Sequence, residues 1–315
     1  MSNDTPPPLK PLIHIGFYKS ASSWLQKHFF QNDYGYQQIL TPYTTQLELL
    51  DQPSLCFDKN KVLSFLDREF ANIQETPYTS VISSENLSGN LMCGGYNAKD
   101  NADRLSQTFS NAKILLVTRE QKKLIRSMYK TMILWGSPLS IKRLLNSPDP
   151  RSAPQFNLDF LRFDQIVSYY RLLFGTDNVL VLPYELFKED PADFLNKIRA
   201  FNGQENLDKG ALEKLPVNTI VNKNQSLAWP KLQQVINRLF LSNAFNYNGL
   251  FETHQDKTWK RIKRHKAYGT TPFDDHLERR FAHYVKNQTS GEFKDSNQKL
   301  QQFCEVDLKR YGYEM

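Results

Sequence analysis

The stretch from Pro11 to Phe30 constrains the fold of this chain more than any other. It opens apolar and β-branched at Leu12, Ile13 and Ile15, as a buried strand does. It breaks at Gly16 and passes through Lys19, Ser20, Ser22 and Ser23. From Ser22 the apolar spacing turns helical, with Trp24, Leu25, His28 and Phe29 on one side. A strand, a tight hydroxyl-rich turn with one lysine, and a helix N-terminus make a ready anion site. Backbone N–H groups, the positive end of the helix dipole, serine hydroxyls and an ammonium converge there. The stretch does not fit a Walker A loop, because its lysine precedes the small residues and no second glycine stands before it.

The rest of the chain repeats the alternation of strand and helix. Residues 31–60 read as irregular, and 61–73 as an amphipathic helix carrying Val62, Leu63, Phe65, Leu66 and Phe70. Residues 78–84 read as a strand ending at Ser83, Ser84 and Glu85, followed by a glycine-containing loop over 88–97. A helix around 100–110 leads to the run from Ala112 to Thr118, continuous and apolar as in a parallel sheet covered on both faces. Arg119 and Glu120 follow, then a basic helix to about Trp135 and a proline-containing loop to Pro154. A helix over 159–174, a strand over 178–182 and a helix near 191–202 complete the pattern. Beyond 205 the strand signals fade and helical spacing dominates. The fold class expected is α/β, a parallel sheet covered by helices with a mainly helical C-terminal part. The organisation expected is a disordered lead-in over 1–10 and one domain over 11–315. Within it, 11–205 would form the core, and 206–315 a basic helical part.

Ligands of such sheets bind at the carboxyl ends of the strands. Those ends carry Lys19 with its serines, Glu85, Arg119, and Tyr184 with Glu185. The first of them, Tyr18-Lys19-Ser20-Ala21-Ser22-Ser23-Trp24, resembles the 5′-phosphosulfate loop of sulfotransferases, Pro-Lys-x-Gly-Thr-Thr-Trp. It departs by Tyr for Pro, Ala for Gly, and Ser-Ser for Thr-Thr. The alanine asks whether the turn keeps its shape with a Cβ. A second resemblance is Arg119 at a strand end with Ser127 eight residues on, the family's pattern for a 3′-phosphate. A forked guanidinium suits a phosphate, and two helical turns return a hydroxyl to the same side. A third is Tyr184-Glu185 after the strand at 178–182. Its tyrosine either lies by the nucleotide or caps the core. A fourth, Asn222 to Ser226, is similar to a segment seen late in bacterial members.

The resemblance implies a P-loop-like sulfotransferase fold and a transfer from 3′-phosphoadenosine 5′-phosphosulfate to an acceptor hydroxyl, with no metal. Lys19 would neutralise the bridging oxygen as the sulfuryl group leaves. Ser20, Ala21, Ser22, Ser23 and Trp24 would form the 5′-phosphate loop, and Arg119, Ser127 and Tyr184 the rest of the nucleotide site. The acceptor must lose a proton, so a base is required within hydrogen-bond reach. In the family this base follows the second strand, as a histidine or, in several carbohydrate sulfotransferases, a glutamate; no histidine lies there in this chain, so the resemblance implies Glu85. The other reading of Glu85 is a carboxylate that pairs with Lys19 or caps the next turn. By analogy with carbohydrate sulfotransferases, Glu85 points to a glycan or lipid-linked sugar as acceptor.

The 40 Lys and Arg against 33 Asp and Glu give a net charge of +7, which suits an anionic ligand and proves little more. Lys257, Lys260, Arg261, Lys263, Arg264 and Lys266 concentrate positive charge in the tail. They would close over the nucleotide, attract an anionic or lipid-linked acceptor, or simply form a solvated face. The tail lacks the aromatic interleaving of a nucleic-acid binder. Cys56, Cys93 and Cys304 are far apart and odd in number, without metal spacing or a disulfide framework. With no signal peptide and no apolar run of membrane length, a cytoplasmic chain is expected. His14 reads as a core histidine. Two alternatives stand: a kinase on a related fold, for which a Gly-Lys-Ser/Thr loop and a magnesium aspartate are missing, and an anion-binding protein without turnover.

Overall fold

The run Lys113–Thr118 forms the strand its sequence predicts, buried at every position after the first. In this computed structural model, which describes residues 10–69, 77–146, 156–217, 228–240 and 272–315, it is one of five strands. These are β1 (Leu12–His14), β2 (Tyr36–Leu40), β3 (Thr79–Ser83), β4 (Lys113–Thr118) and β5 (Val179–Pro183). All pair in parallel, in the order β2-β3-β1-β4-β5. β1 therefore lies in the middle. Its Leu12, Ile13 and His14 face Val81, Ile82 and Ser83 on one side and Lys113, Ile114 and Leu115 on the other. A middle strand that runs into a phosphate-type loop is the P-loop-like arrangement the sequence predicts.

Parallel neighbours require long crossovers, and helices supply them. Helix Ala98–Thr108 joins β3 to β4, and helix Phe163–Phe174 packs on both β4 and β5. One core cluster gathers Leu12, Val81, Leu115, Val117 and Leu182 from the strands. It adds Trp24, Leu25 and Phe29 after β1, and Phe194, Leu195 and Ile198 from helix Pro191–Phe201. Leu116 and Ile114 alternate with those β4 residues and are also fully buried, so both faces of the strand are covered.

Residues 31–60 correct one expectation. They were expected to be irregular, yet they contain β2 and a helical stretch formed by Pro42–Thr45 and Gln46–Leu50. The strand carries Gln37 and Gln38 in its centre and a register shift between Gln38 and Leu40, as an edge strand tolerates. The helix after β1 also differs in detail: a single turn, Ser22–Trp24, runs into a wider π turn, Leu25–Phe29.

The chain divides into two compact units. Met1–Glu120, Ala153–Val221 and Glu292–Met315 form one, which holds the sheet. Gln121–Ser152 and Asn222–Gly291 form the other. In the second, helix Gln121–Leu134 packs on helices Ala228–Phe240 and Pro272–Gln288. Asn237 Nδ2 donates to the Ile133 carbonyl at 2.7 Å, and the basic residues Arg126 and Lys130 both meet Glu278. No helix among the described residues is long and apolar enough to cross a membrane. The lead-in to residue 9, the segment 222–226, the basic run 257–269 and residues 147–155 lie outside the described residues.

Candidate active site

Gly16, two residues beyond β1, has φ +102, a conformation that disfavours any side chain. A Cβ there would also stand 3.1 Å from the Glu85 Cα. The chain leaving β1 is thus pressed against the turn leaving β3, which carries the base candidate. The backbone N–H of Phe17 donates to the Val117 carbonyl at 2.8 Å and that of Val117 to the Gly16 carbonyl at 2.7 Å. These bonds carry the pairing of β1 with β4 past the last strand residue.

The loop then turns twice through left-handed conformations, at Lys19 (φ 61) and Ala21 (φ 70). Ala21 falls where the resembling loop has glycine, and the Cβ has not prevented the turn. Ser20 and Ser22 both donate their hydroxyls to the Phe17 carbonyl, Ser22 at 3.3 Å. With those hydroxyls turned inward, the loop presents its backbone. Among the described residues, the N–H groups of Lys19 to Ser23 meet no protein acceptor. Consecutive N–H groups in such a turn form a concavity suited to an anion.

Arg119, one residue beyond β4, donates from Nη1 to the Lys19 carbonyl at 2.7 Å. Its guanidinium lies 5.0 Å from the centre of the Tyr184 ring, a cation–π distance. Its Nε is buried and has no acceptor among the described residues. Burial disfavours the Arg119 charge, and Tyr184, Glu185, Glu120 and Tyr313 nearby counteract that. Lys19 is pushed down by burial first and by Arg119 second, with Glu85 opposing. The site therefore holds two poorly hydrated cations beside unsatisfied N–H groups, which is a phosphate's complement. Glu185 sits on the same side and accepts the Glu120 N–H at 3.2 Å.

Lys19, the serine turn, Glu85, Arg119 and Tyr184 thus come together in one unit. Trp24 is placed otherwise than a ligand contact would be. Its ring is 4 % exposed, packs 4.7 Å from Phe187, and donates its N–H to the Pro216 carbonyl at 3.2 Å. Ser127 lies in the other unit, on helix Gln121–Leu134, where its carbonyl accepts from Thr131 at 3.1 Å. His14 is fully buried; its Nδ1 meets the Ser83 hydroxyl at 2.8 Å, and burial lowers its pKa to about 3. Two further side-chain contacts, to which the sequence assigned no role, lie near these residues. Tyr18 donates to the Asn86 side chain, and Tyr313 meets the Thr118 hydroxyl at 2.9 Å, next to Arg119. Tyr313 lies 195 residues from its partner, and no local pattern signals it.

The chain is similar to sulfotransferases. A sulfotransferase from Alicyclobacillus acidocaldarius matches with 16 % identity over 65 % of this chain and 89 % of its own, at a TM-score of 0.48. The sulfotransferase domain of the Synechococcus PCC 7002 olefin synthase matches with 14 % identity over 86 % and 99 %, at 0.42. A mouse sulfotransferase complexed with PAP matches with 15 % identity over 93 % and 88 %, at 0.40. No family model and no curated protein matches the chain. None of these likenesses assigns an activity here; what bears on activity is the loop and its neighbours.

Proposed function

We propose that this chain is a sulfotransferase that moves a sulfuryl group from 3′-phosphoadenosine 5′-phosphosulfate to an acceptor hydroxyl on a carbohydrate or glycolipid. The observation that carries the reading is the tie between Arg119 and the Lys19 carbonyl, beside the bare N–H groups of Lys19 to Ser23. Together they offer one cationic strand end and one backbone concavity, suited to a ligand with two separate phosphate groups. The loop would hold the 5′-phosphate and Arg119 the 3′-phosphate.

In the transfer, the acceptor oxygen attacks sulfur as the bond from sulfur to the bridging phosphate oxygen breaks. The acceptor proton passes to the Glu85 carboxylate, and the Lys19 ammonium meets the charge that develops on the bridging oxygen. The products are the sulfate ester and adenosine 3′,5′-bisphosphate. Because Lys19 is half-buried, its ammonium is incompletely hydrated, and its contact with a developing anion gains more than it would in water. Catalysis of this kind is positioning plus charge stabilisation.

The test is calorimetric titration of the full chain with adenosine 3′,5′-bisphosphate and, separately, with ATP and magnesium. Micromolar or tighter binding of the bisphosphate with much weaker binding of ATP supports the reading. Preference for ATP revives the kinase, and binding without any transfer leaves an anion-binding protein.

A further inference from the structure

The phosphate loop is fastened at two consecutive residues. Lys19 is held by its carbonyl to Arg119, beyond β4. Tyr18 is held on the other side: its hydroxyl donates to Asn86 Oδ1, on the turn Glu85–Ser88 that follows β3. Tyr18 is 9 % exposed, so this bond is shielded from water. Asn86 is engaged at both ends, since its Nδ2 donates to Gln46 Oε1 at 2.9 Å. Gln46 belongs to the helical stretch after β2. The Tyr18–Asn86–Gln46 bridge thus links the segments that leave β1, β3 and β2.

The bridge passes through Asn86, the residue next to the base candidate. The Glu85 carbonyl accepts from Ser88 Oγ at 2.8 Å, and the Asn86 carbonyl accepts from Asn101 Nδ2 at 3.0 Å. Those two bonds fix the backbone of the turn, and Gly16 packs against its first residue. What they leave open is the placement of the turn relative to the loop that carries Lys19. The only side-chain hydrogen bond between loop residues 18–23 and residues 84–88, among those described, is the one from Tyr18.

We propose that Tyr18, acting through Asn86, is a positioning residue that sets the Glu85 carboxylate against the Lys19 ammonium. The inference rests on the proposed sulfuryl transfer, in which these two groups work on opposite ends of one reacting line. The Tyr18 hydroxyl is committed to Asn86. Its loss leaves the backbone concavity and Arg119 in place, so donor binding survives while the transfer step suffers.

The experiment compares wild type with Tyr18→Phe, Asn86→Ala and the double variant, all as full chains. Titration with adenosine 3′,5′-bisphosphate gives donor-site affinity. Transfer from 3′-phosphoadenosine 5′-phosphosulfate to 2-naphthol, to octyl glucoside and to water gives kcat and acceptor KM. Hydrogen exchange without ligand reports the turn at 84–88. The expected result is bisphosphate affinity and acceptor KM within about twofold of wild type, and a kcat at least about tenfold lower in each single variant. The double variant should fall no further, because both changes cut one bridge. Exchange at 84–88 should rise about fivefold, the loss of one hydrogen bond. A scaffold role alone would lower bisphosphate affinity and kcat together. An unchanged kcat or unchanged exchange in Tyr18→Phe overturns the inference, as do losses that multiply in the double variant. A wild type that fails to bind the bisphosphate overturns the sulfotransferase reading itself, and this inference with it.

Discussion

The Arg119 guanidinium donates to the Lys19 carbonyl at 2.7 Å, joining two strand ends 100 residues apart in sequence. Arg119 therefore shapes the loop, and in the proposed function it would also meet the 3′-phosphate. On that reading, replacing it with alanine removes a charged phosphate contact and loosens the turn at once. The expected loss in affinity for adenosine 3′,5′-bisphosphate is one to two decades, about 1.5–3 kcal/mol. Lysine should not restore it, because a point charge on a flexible stem cannot serve the carbonyl and a phosphate together. Calorimetry on the three chains checks both statements.

Glu85→Gln separates chemistry from binding. The amide keeps the shape of the side chain and removes the base. If Glu85 takes the acceptor proton, kcat should fall by about 10²–10⁴-fold. Bisphosphate affinity should stay near that of wild type, since Glu85 belongs to the turn after β3 and not to the phosphate loop. A kcat within threefold of wild type would assign the carboxylate to structure alone.

Ala21 and Gly16 make opposite predictions. Ala21 bears a Cβ at φ 70, which costs roughly 1–2 kcal/mol, while a glycine there would add chain entropy to the unfolded state. Ala21→Gly should therefore be neutral or stabilising by under about 1 kcal/mol in urea unfolding. Gly16→Ala places a methyl 3.1 Å from the Glu85 Cα at φ +102, and should destabilise by about 2 kcal/mol or more. It should also cost turnover, because the backbone that must give way belongs to Glu85.

His14 predicts a pH dependence. Its folded pKa, about 3, lies below its ordinary 6.5, so the unfolded chain binds the extra proton. Stability from this group is complete above about pH 6.5 and falls as the pH is lowered toward 3, by up to about 1.4 kcal/mol per pH unit. His14→Gln should flatten that part of the curve. Urea midpoints at pH 4, 5, 6 and 7 for the two chains test it.

The sheet, and the placement of Lys19 and Arg119 together at its strand ends, were legible because each is signalled by a short contiguous pattern: a buried apolar run, then polar residues. β2 was not, because Gln37 and Gln38 break its alternation and its edge position does not demand an apolar face. Trp24 shows the limit of a motif match. The residue is present, yet its ring is committed to Phe187 and the Pro216 carbonyl. Tyr18 departs from the sequence pattern, and its bond to Asn86 spans 68 residues, beyond any local spacing. The contact between Tyr313 and Thr118 is more remote still.

The middle strand has a consequence for how this protein is made. β1 spans three residues, and the strands that flank it begin at Thr79 and Lys113. A growing chain therefore carries its phosphate loop long before it carries either wall of the groove in which that strand must lie. Closing such distant pairs costs chain entropy before any contact repays it, which favours slow folding. Until β4 emerges, β1 lacks the neighbour on one of its two sides, and the nascent segment is a natural client for chaperones.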